Sequence, residues 1–201
     1  MFKRAIATLG IIAGIVMASP PPGAGVEVAL LYAPNLALGG LNGPGEIGPG
    51  GVKARVTVAA SGPLRLNAGV GYGLYRYRSK YVHYAIWEGV GEIPIWAFSF
   101  GGDIGPDRGR WRPYGAFGFA AAVESVDVRH EKRTDFTPGI YAGGGASFRL
   151  GDGLAFALEP RYTYYFDKVT VIHDLERFLT GIQTDDRFQC VELLIGFSYH
   201  F

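Results

Sequence analysis

The chain has 201 residues, enough for one domain with a sizeable apolar surface, and a net charge of +1, which excludes the broad basic field of a nucleic-acid binder. It holds 31 Gly, 12 Tyr and 13 Phe, 18% of its residues are charged, and after the N-terminus no apolar run approaches the roughly 18 to 20 residues of a transmembrane helix. Its single cysteine, Cys190, excludes an internal disulfide, and no Cys/His cluster has metal-ligand spacing, so neither a metal nor a cofactor is expected.

At the N-terminus, Lys3 and Arg4 precede the apolar stretch AIATLGIIAGIVMA at 5–18, and Val16-Met17-Ala18 supplies a small residue before a cut. This pattern predicts a secretory signal peptide over 1–18, with a cut after Ala24 as the alternative and 19–24 as a flexible leader. The rival reading is a membrane anchor, for which the stretch is short. With no Cys near the cut, a lipoprotein is not expected.

From residue 25 onward the chain alternates apolar and polar positions, the signature of strands. Eight segments are expected, near 26–33, 51–60, 64–77, 90–103, 111–123, 137–149, 153–166 and 187–201. In the second, Val52, Ala54, Val56 and Val58 oppose Lys53, Arg55 and Thr57. In the eighth, Val191, Leu193, Ile195, Phe197, Tyr199 and Phe201 oppose Cys190, Glu192, Gly196, Ser198 and His200. The fourth is irregular, because Glu92 and Pro94 share a face with Trp96, Phe98 and Phe100, and a bulge or register change is expected near Pro94.

The connections alternate in length. Ser61-Gly62-Pro63, residues 105–110 and Gly151-Asp152-Gly153 are tight turns, whereas 34–50, 78–89, 124–136 and 167–186 are long. Short turns on one side and long loops on the other predict an eight-stranded antiparallel up-and-down transmembrane β-barrel over 25–201, with both termini periplasmic. Aromatics at the ends of the segments suit the two membrane interfaces. Residues 171–181, VIHDLERFLTG, place Ile172, Leu175 and Leu179 on one helical face, and a short surface helix is expected there. Loop one is Gly- and Pro-rich and is expected to be mobile.

The ending GFSYHF, with GEIPIWAFSFGGDIG at 91–105 and WRPYGAFGFAAA at 111–122, resembles the small eight-stranded outer-membrane proteins of the OmpX, Opa and OmpA-transmembrane type. The resemblance spans about residues 25–201. It implies a monomeric barrel in the bacterial outer membrane. It also implies that Gly196, Tyr199 and Phe201 form the signal read by the barrel-assembly machinery.

Eight strands enclose a lumen that side chains fill. The inward set Glu27, Lys53, Arg55, Arg65, Arg149, Glu159, Arg161 and Glu192 carries both signs, so an ion-pair network that plugs the barrel is expected. Inward glycines, Gly69, Gly71, Gly73, Gly143 and Gly145, make room for these chains. Arg76, Arg78, Lys80, Arg129, Lys132 and Arg133 lie in or beside loops two and three and are read as lipopolysaccharide contacts, against the plainer reading of a solvated rim. A host or other surface ligand is a further partner for the loops. The function expected is non-enzymatic, structural or surface-interactive. The alternatives are a narrow channel for ions or small solutes and a lipid A-modifying enzyme. No His is followed two positions on by Ser, the pair that the lipid A deacylase resemblance would require.

Overall fold

The computed structural model describes residues 25–39, 47–80, 88–106, 109–128, 131–166, 170–175, 178–183 and 189–201; the expected signal peptide and leader, 1–24, lie outside them. The strands among them are β1 (Val26–Gly39), β2 (Ile47–Ser61), β3 (Leu64–Lys80), β4 (Glu88–Ile104), β5 (Trp111–Val128), β6 (Glu131–Arg149), β7 (Leu154–Tyr165), β8 (Thr170–Leu175), β9 (Phe178–Gln183) and β10 (Gln189–His200). Eight of them close into one antiparallel barrel in the order β1-β10-β7-β6-β5-β4-β3-β2.

Period-2 alternation sorts each strand into two faces. On β7, Ala155, Ala157, Glu159, Arg161, Thr163 and Tyr165 are buried, while Leu154, Leu158 and Tyr162 are exposed. Burial is inverted relative to a water-soluble barrel: Arg161 is 3% exposed and Phe119 on the outer wall 69%. The outer face is a continuous apolar surface running through Leu30, Val52, Leu66, Phe98, Phe117, Ile140, Leu158 and Phe197. The core is the lumen.

The short connections gather at one end. β2 and β3 meet around Gly62 (φ +55°) and β6 and β7 around Gly153 (φ +79°), left-handed positions that favour glycine. The opposite end differs from the sequence expectation, since much of the expected loop is strand. The β3–β4 ladder continues to Lys80↔Glu88 and the β5–β6 ladder to Val128↔Glu131. The residues expected as a helix form the β8–β9 hairpin, paired from Thr170↔Gln183 to Leu175↔Phe178. Thr170, Val171, Ile172, Thr180 and Ile182 are β-branched, and their strand preference outweighs the spacing of three apolar residues.

The bulge expected at Pro94 is absent from the β3–β4 ladder, whose register is unbroken. The Gly105 amide donates to the Pro63 carbonyl, so odd residues of β4 bond to β3 and even ones turn to β5. Pro94 therefore costs β3 nothing, and the β4–β5 ladder instead stops beside it at Ile95↔Glu124. A bulge does occur where Ala33 and Asn35 of β1 face β2, opposite Gly50 at φ +77°.

Candidate functional site: the charged lumen

Seven of the barrel strands, all but β6, aim charged residues into one interior. Glu159 on β7 is 1% exposed and is the hub. Its Oε2 accepts from Arg55 at 2.5 Å and from the Tyr114 hydroxyl at 3.0 Å, and its Oε1 accepts from Arg161 at 2.7 and 2.9 Å. Nearer the short turns, Arg65 donates to Glu27 at 3.2 Å and also bonds Asp103, while Arg112 donates to Glu27 at 3.2 Å. Asn67 donates to Asp103 at 3.3 Å and accepts from the Tyr141 hydroxyl at 2.9 Å. The guanidinium carbons of Arg55, Arg65 and Arg112 lie 5.8–6.0 Å from the Tyr114 ring centroid, and that of Arg161 lies 4.1 Å from that of Tyr141. Delocalised guanidiniums stack on rings while keeping their donors in plane, which makes arginine suited to so crowded a space.

Towards the loops the filling changes. Lys53 on β2 reaches Glu192 on β10 at 2.6 Å. Two voids of about 10 Å³ each border this pair, the size of a single water. Glycines let the larger chains in: a Cβ on Gly145 would stand 2.9 Å from Glu159 Cβ and 3.0 Å from Tyr114 Cζ.

Of the eight lumen residues expected, seven meet inside: Glu27, Lys53, Arg55, Arg65, Glu159, Arg161 and Glu192. Arg149 is exposed at the turn end of β6. Asp103, Arg112, Tyr114, Tyr141 and Asn67 complete the cluster and were not singled out from the sequence. The signal was available for Arg112 and Tyr114, which alternate with Trp111 and Pro113 in WRPYG. Gly196, Tyr199 and Phe201 sit on β10 and just beyond it, Tyr199 and Phe201 exposed with ring centroids 4.9 Å apart. Of the expected lipopolysaccharide contacts, Arg129 lies outside the described residues. Arg76, Arg78, Lys80, Lys132 and Arg133 lie on described strand backbone at the loop ends, with side chains outside the description.

Chemically the cluster is an array of mutually neutralised charges. His200 approaches Glu27 Oε2 at 3.6 Å, but that oxygen is shared with Arg65 and Arg112, which leaves it a poor orienter for a catalytic imidazole. Among the described residues no group of three His, Cys, Asp or Glu could hold a metal ion.

A closed antiparallel wall, apolar outside and ion-paired inside, defines a transmembrane β-barrel. No described helix is long and apolar enough to cross a membrane, which says nothing against crossing by strands. The chain belongs to the outer membrane protein beta-barrel domain family, whose model matches residues 5–201. Among solved structures it is similar to Neisserial surface protein A, with 14% identity and a TM-score of 0.56 over 91% of this chain and 100% of that one. It is similar to a major outer membrane protein of Thermus thermophilus, with 14% identity and a TM-score of 0.57 over 89% and 100%. OprG of Pseudomonas aeruginosa gives 11% identity and a TM-score of 0.58 over 89% and 96%. These likenesses concern the fold. No curated protein matches the chain.

Proposed function

We propose that this outer-membrane barrel is a plugged, non-enzymatic envelope protein that acts through its wall and its loop-end rim. The lining of the lumen supports the reading: four buried arginines face three buried carboxylates around Tyr114, and the voids beside Lys53 and Glu192 are about 10 Å³ each. A hydrated ion is wider than such a space. In this reading residues 1–18 export the chain, the barrel-assembly machinery receives it through Gly196, Tyr199 and Phe201, and it works as a monomer. The short turns and both termini face the periplasm, and the β3–β4 and β5–β6 hairpins project outward.

The register sorts the rim cations. Arg76 stands opposite Glu92, Lys80 opposite Glu88 and Lys132 opposite Asp127, whereas Arg78 faces Val90 and Arg133 faces Val126. Opposite charges across a ladder satisfy one another. Lipopolysaccharide phosphates are therefore best met by Arg78 and Arg133, with Arg129 a third candidate from the sequence. In planar lipid bilayers the purified barrel is expected to give no steady conductance, and a steady ion current would overturn the plugged reading. Retention of lipopolysaccharide should fall in R78A/R133A and hold in R76A/K132A; the reverse order would overturn the assignment of the rim.

A further inference from the structure

Two of the interruptions in the wall of this barrel follow from proline and flank one ribbon. Phe166 donates its amide to Pro138 and Leu150 donates to Leu154, so even residues of β7 bond to β6. Pro160 therefore turns its nitrogen towards Gly144, where it has no hydrogen to give. The β6–β7 pairing runs to Gly143↔Arg161 and resumes at Ala146↔Leu158 in the same register, with two pairs missing at Pro160. On the far side of β10 the same thing happens. Phe201 donates to Val26, so even residues of β1 bond to β10, and Pro34 turns its nitrogen towards Leu193. That pairing stops at Tyr32↔Ile195 and resumes at Asn35↔Glu192.

Pro160 and Leu193 are direct partners in the unbroken β7–β10 ladder. The β7–β10 ribbon thus hangs between two breaks at one level, with Gly144 beyond one and Pro34 beyond the other. In hydrocarbon no water replaces a missing ladder bond.

Each break is backed from inside by the neighbouring inward residue. Next to Pro160, Glu159 is held by Arg55 of β2 at 2.5 Å and by Tyr114 of β5 at 3.0 Å. Next to Leu193, Glu192 is held by Lys53 of β2 at 2.6 Å. Next to Pro34, the Asn35 amide donates to the Leu74 carbonyl of β3 at 3.3 Å. All four contacts cross to strands that are not ladder neighbours of the strand they hold.

We propose that the lumen network is a splint: its cross-lumen ties through Glu159 and Glu192 hold the β7–β10 ribbon in the wall where Pro160 and Pro34 break the ladder. The ion pairs and the prolines form one device, and the charges belong to wall closure rather than to a solute path. This stands whatever the rim binds.

Amide hydrogen exchange of the folded barrel in detergent or bilayer tests it, with folding verified by the heat-dependent gel shift. Glu159→Gln should speed exchange at Ala142, Ala146, Leu158 and Tyr162, whose amides face the β6–β7 ladder on either side of the break, about tenfold or more and leave the β3–β4 amides of Gly71 and Ala97 unchanged. Pro160→Ala restores a donor, so its new amide should be protected, and in that background the Glu159→Gln acceleration should shrink to about threefold or less. Equal acceleration in both backgrounds, acceleration spread evenly round the barrel, or an unprotected amide at position 160 of the Pro160→Ala variant would each overturn the splint. Should Glu159→Gln not fold, Lys53→Met with and without Pro34→Ala reads the second break by the amides of Val191 and Ile195, which face β1 on either side of it, with the same criteria.

Discussion

Near the short turns the lumen is packed with four arginines and three carboxylates laid against Tyr114, whereas towards the loops it is filled by glycine backbone and the Lys53–Glu192 pair. The two halves solve one problem differently. A barrel of eight strands needs its interior filled, and unpaired charge inside it is costly. The turn-end half meets that need with guanidiniums that share carboxylates and stack on rings. The loop-end half meets it by bringing backbone inward, at Gly69, Gly71 and Gly73 of β3, so that the stem of Lys53 with Leu31, Ile95 and Tyr165 takes up the space. The first arrangement is rigid because every member is held by several others. The second is tied by the Lys53–Glu192 pair and by Asn35 to the Leu74 carbonyl, with small voids at the sides of the ion pair.

The largest effect should come from emptying the turn-end hub. Glu159→Ala leaves Arg55 and Arg161 buried without their carboxylate, and loss of one member of such a cluster costs about 3–5 kcal/mol. Urea unfolding in bilayers, followed by tryptophan fluorescence, measures it. A loss below that of the loop-end variants would reverse the ranking of the two halves. Tyr114→Phe is gentler, since the ring stays under three guanidiniums and one hydrogen bond to a carboxylate is lost, about 1.5–3 kcal/mol. Lys53→Met should cost about 1–3 kcal/mol, because it removes the ammonium that donates to Glu192 beside voids that admit water. The plugged reading adds a second expectation for Lys53→Met: bilayer recordings stay silent, because the turn-end half remains closed. Steady current from that variant would make the loop-end pair the barrier.

The sequence makes the wall more legible than its contents. Alternation on β2, β7 and β10 fixes which residues face the lumen, since period 2 is a local property of the backbone. The partners inside are set by register between strands far apart in the chain. Glu192 stands directly opposite Arg161 on β7, as neighbouring strands suggest, yet its ion pair runs across the lumen to Lys53. Asp103 and Arg112 flank the 105–110 turn, where the alternation of β4 and β5 ends and carries least information on facing. Pro94 misled for a related reason: the harm a proline does depends on which neighbour its nitrogen faces, and parity within the ladder decides that. The hairpin at 170–183 looks helical in sequence because Ile172, Leu175 and Leu179 keep helical spacing, yet in the ladder only Ile172 and Leu179 fall at alternate pairs, and Leu175 is at the other parity.

Glycine substitutions give the smallest and most discriminating comparison. A Cβ on Gly71 would collide with Lys53 Cγ and stand 3.1 Å from the Val52 carbonyl oxygen, and a change of the Lys53 rotamer beside the neighbouring void is the relief expected. Gly71→Ala should therefore cost only about 1 kcal/mol, the low end for added bulk in a packed interior. Gly196→Ala on β10 meets the Leu30 carbonyl and Leu31 Cα, backbone atoms of the adjacent strand that cannot step aside without bending the wall. Its cost should be the larger of the two, about 3 kcal/mol. Unfolding of the two alanine variants side by side measures the difference. If Gly71→Ala proves as costly as Gly196→Ala, then Lys53 has no freedom and the loop-end half is as rigid as the arginine cluster below it. If it is cheap, the room beside Lys53 is real, and the contrast between a locked half and a yielding half stands.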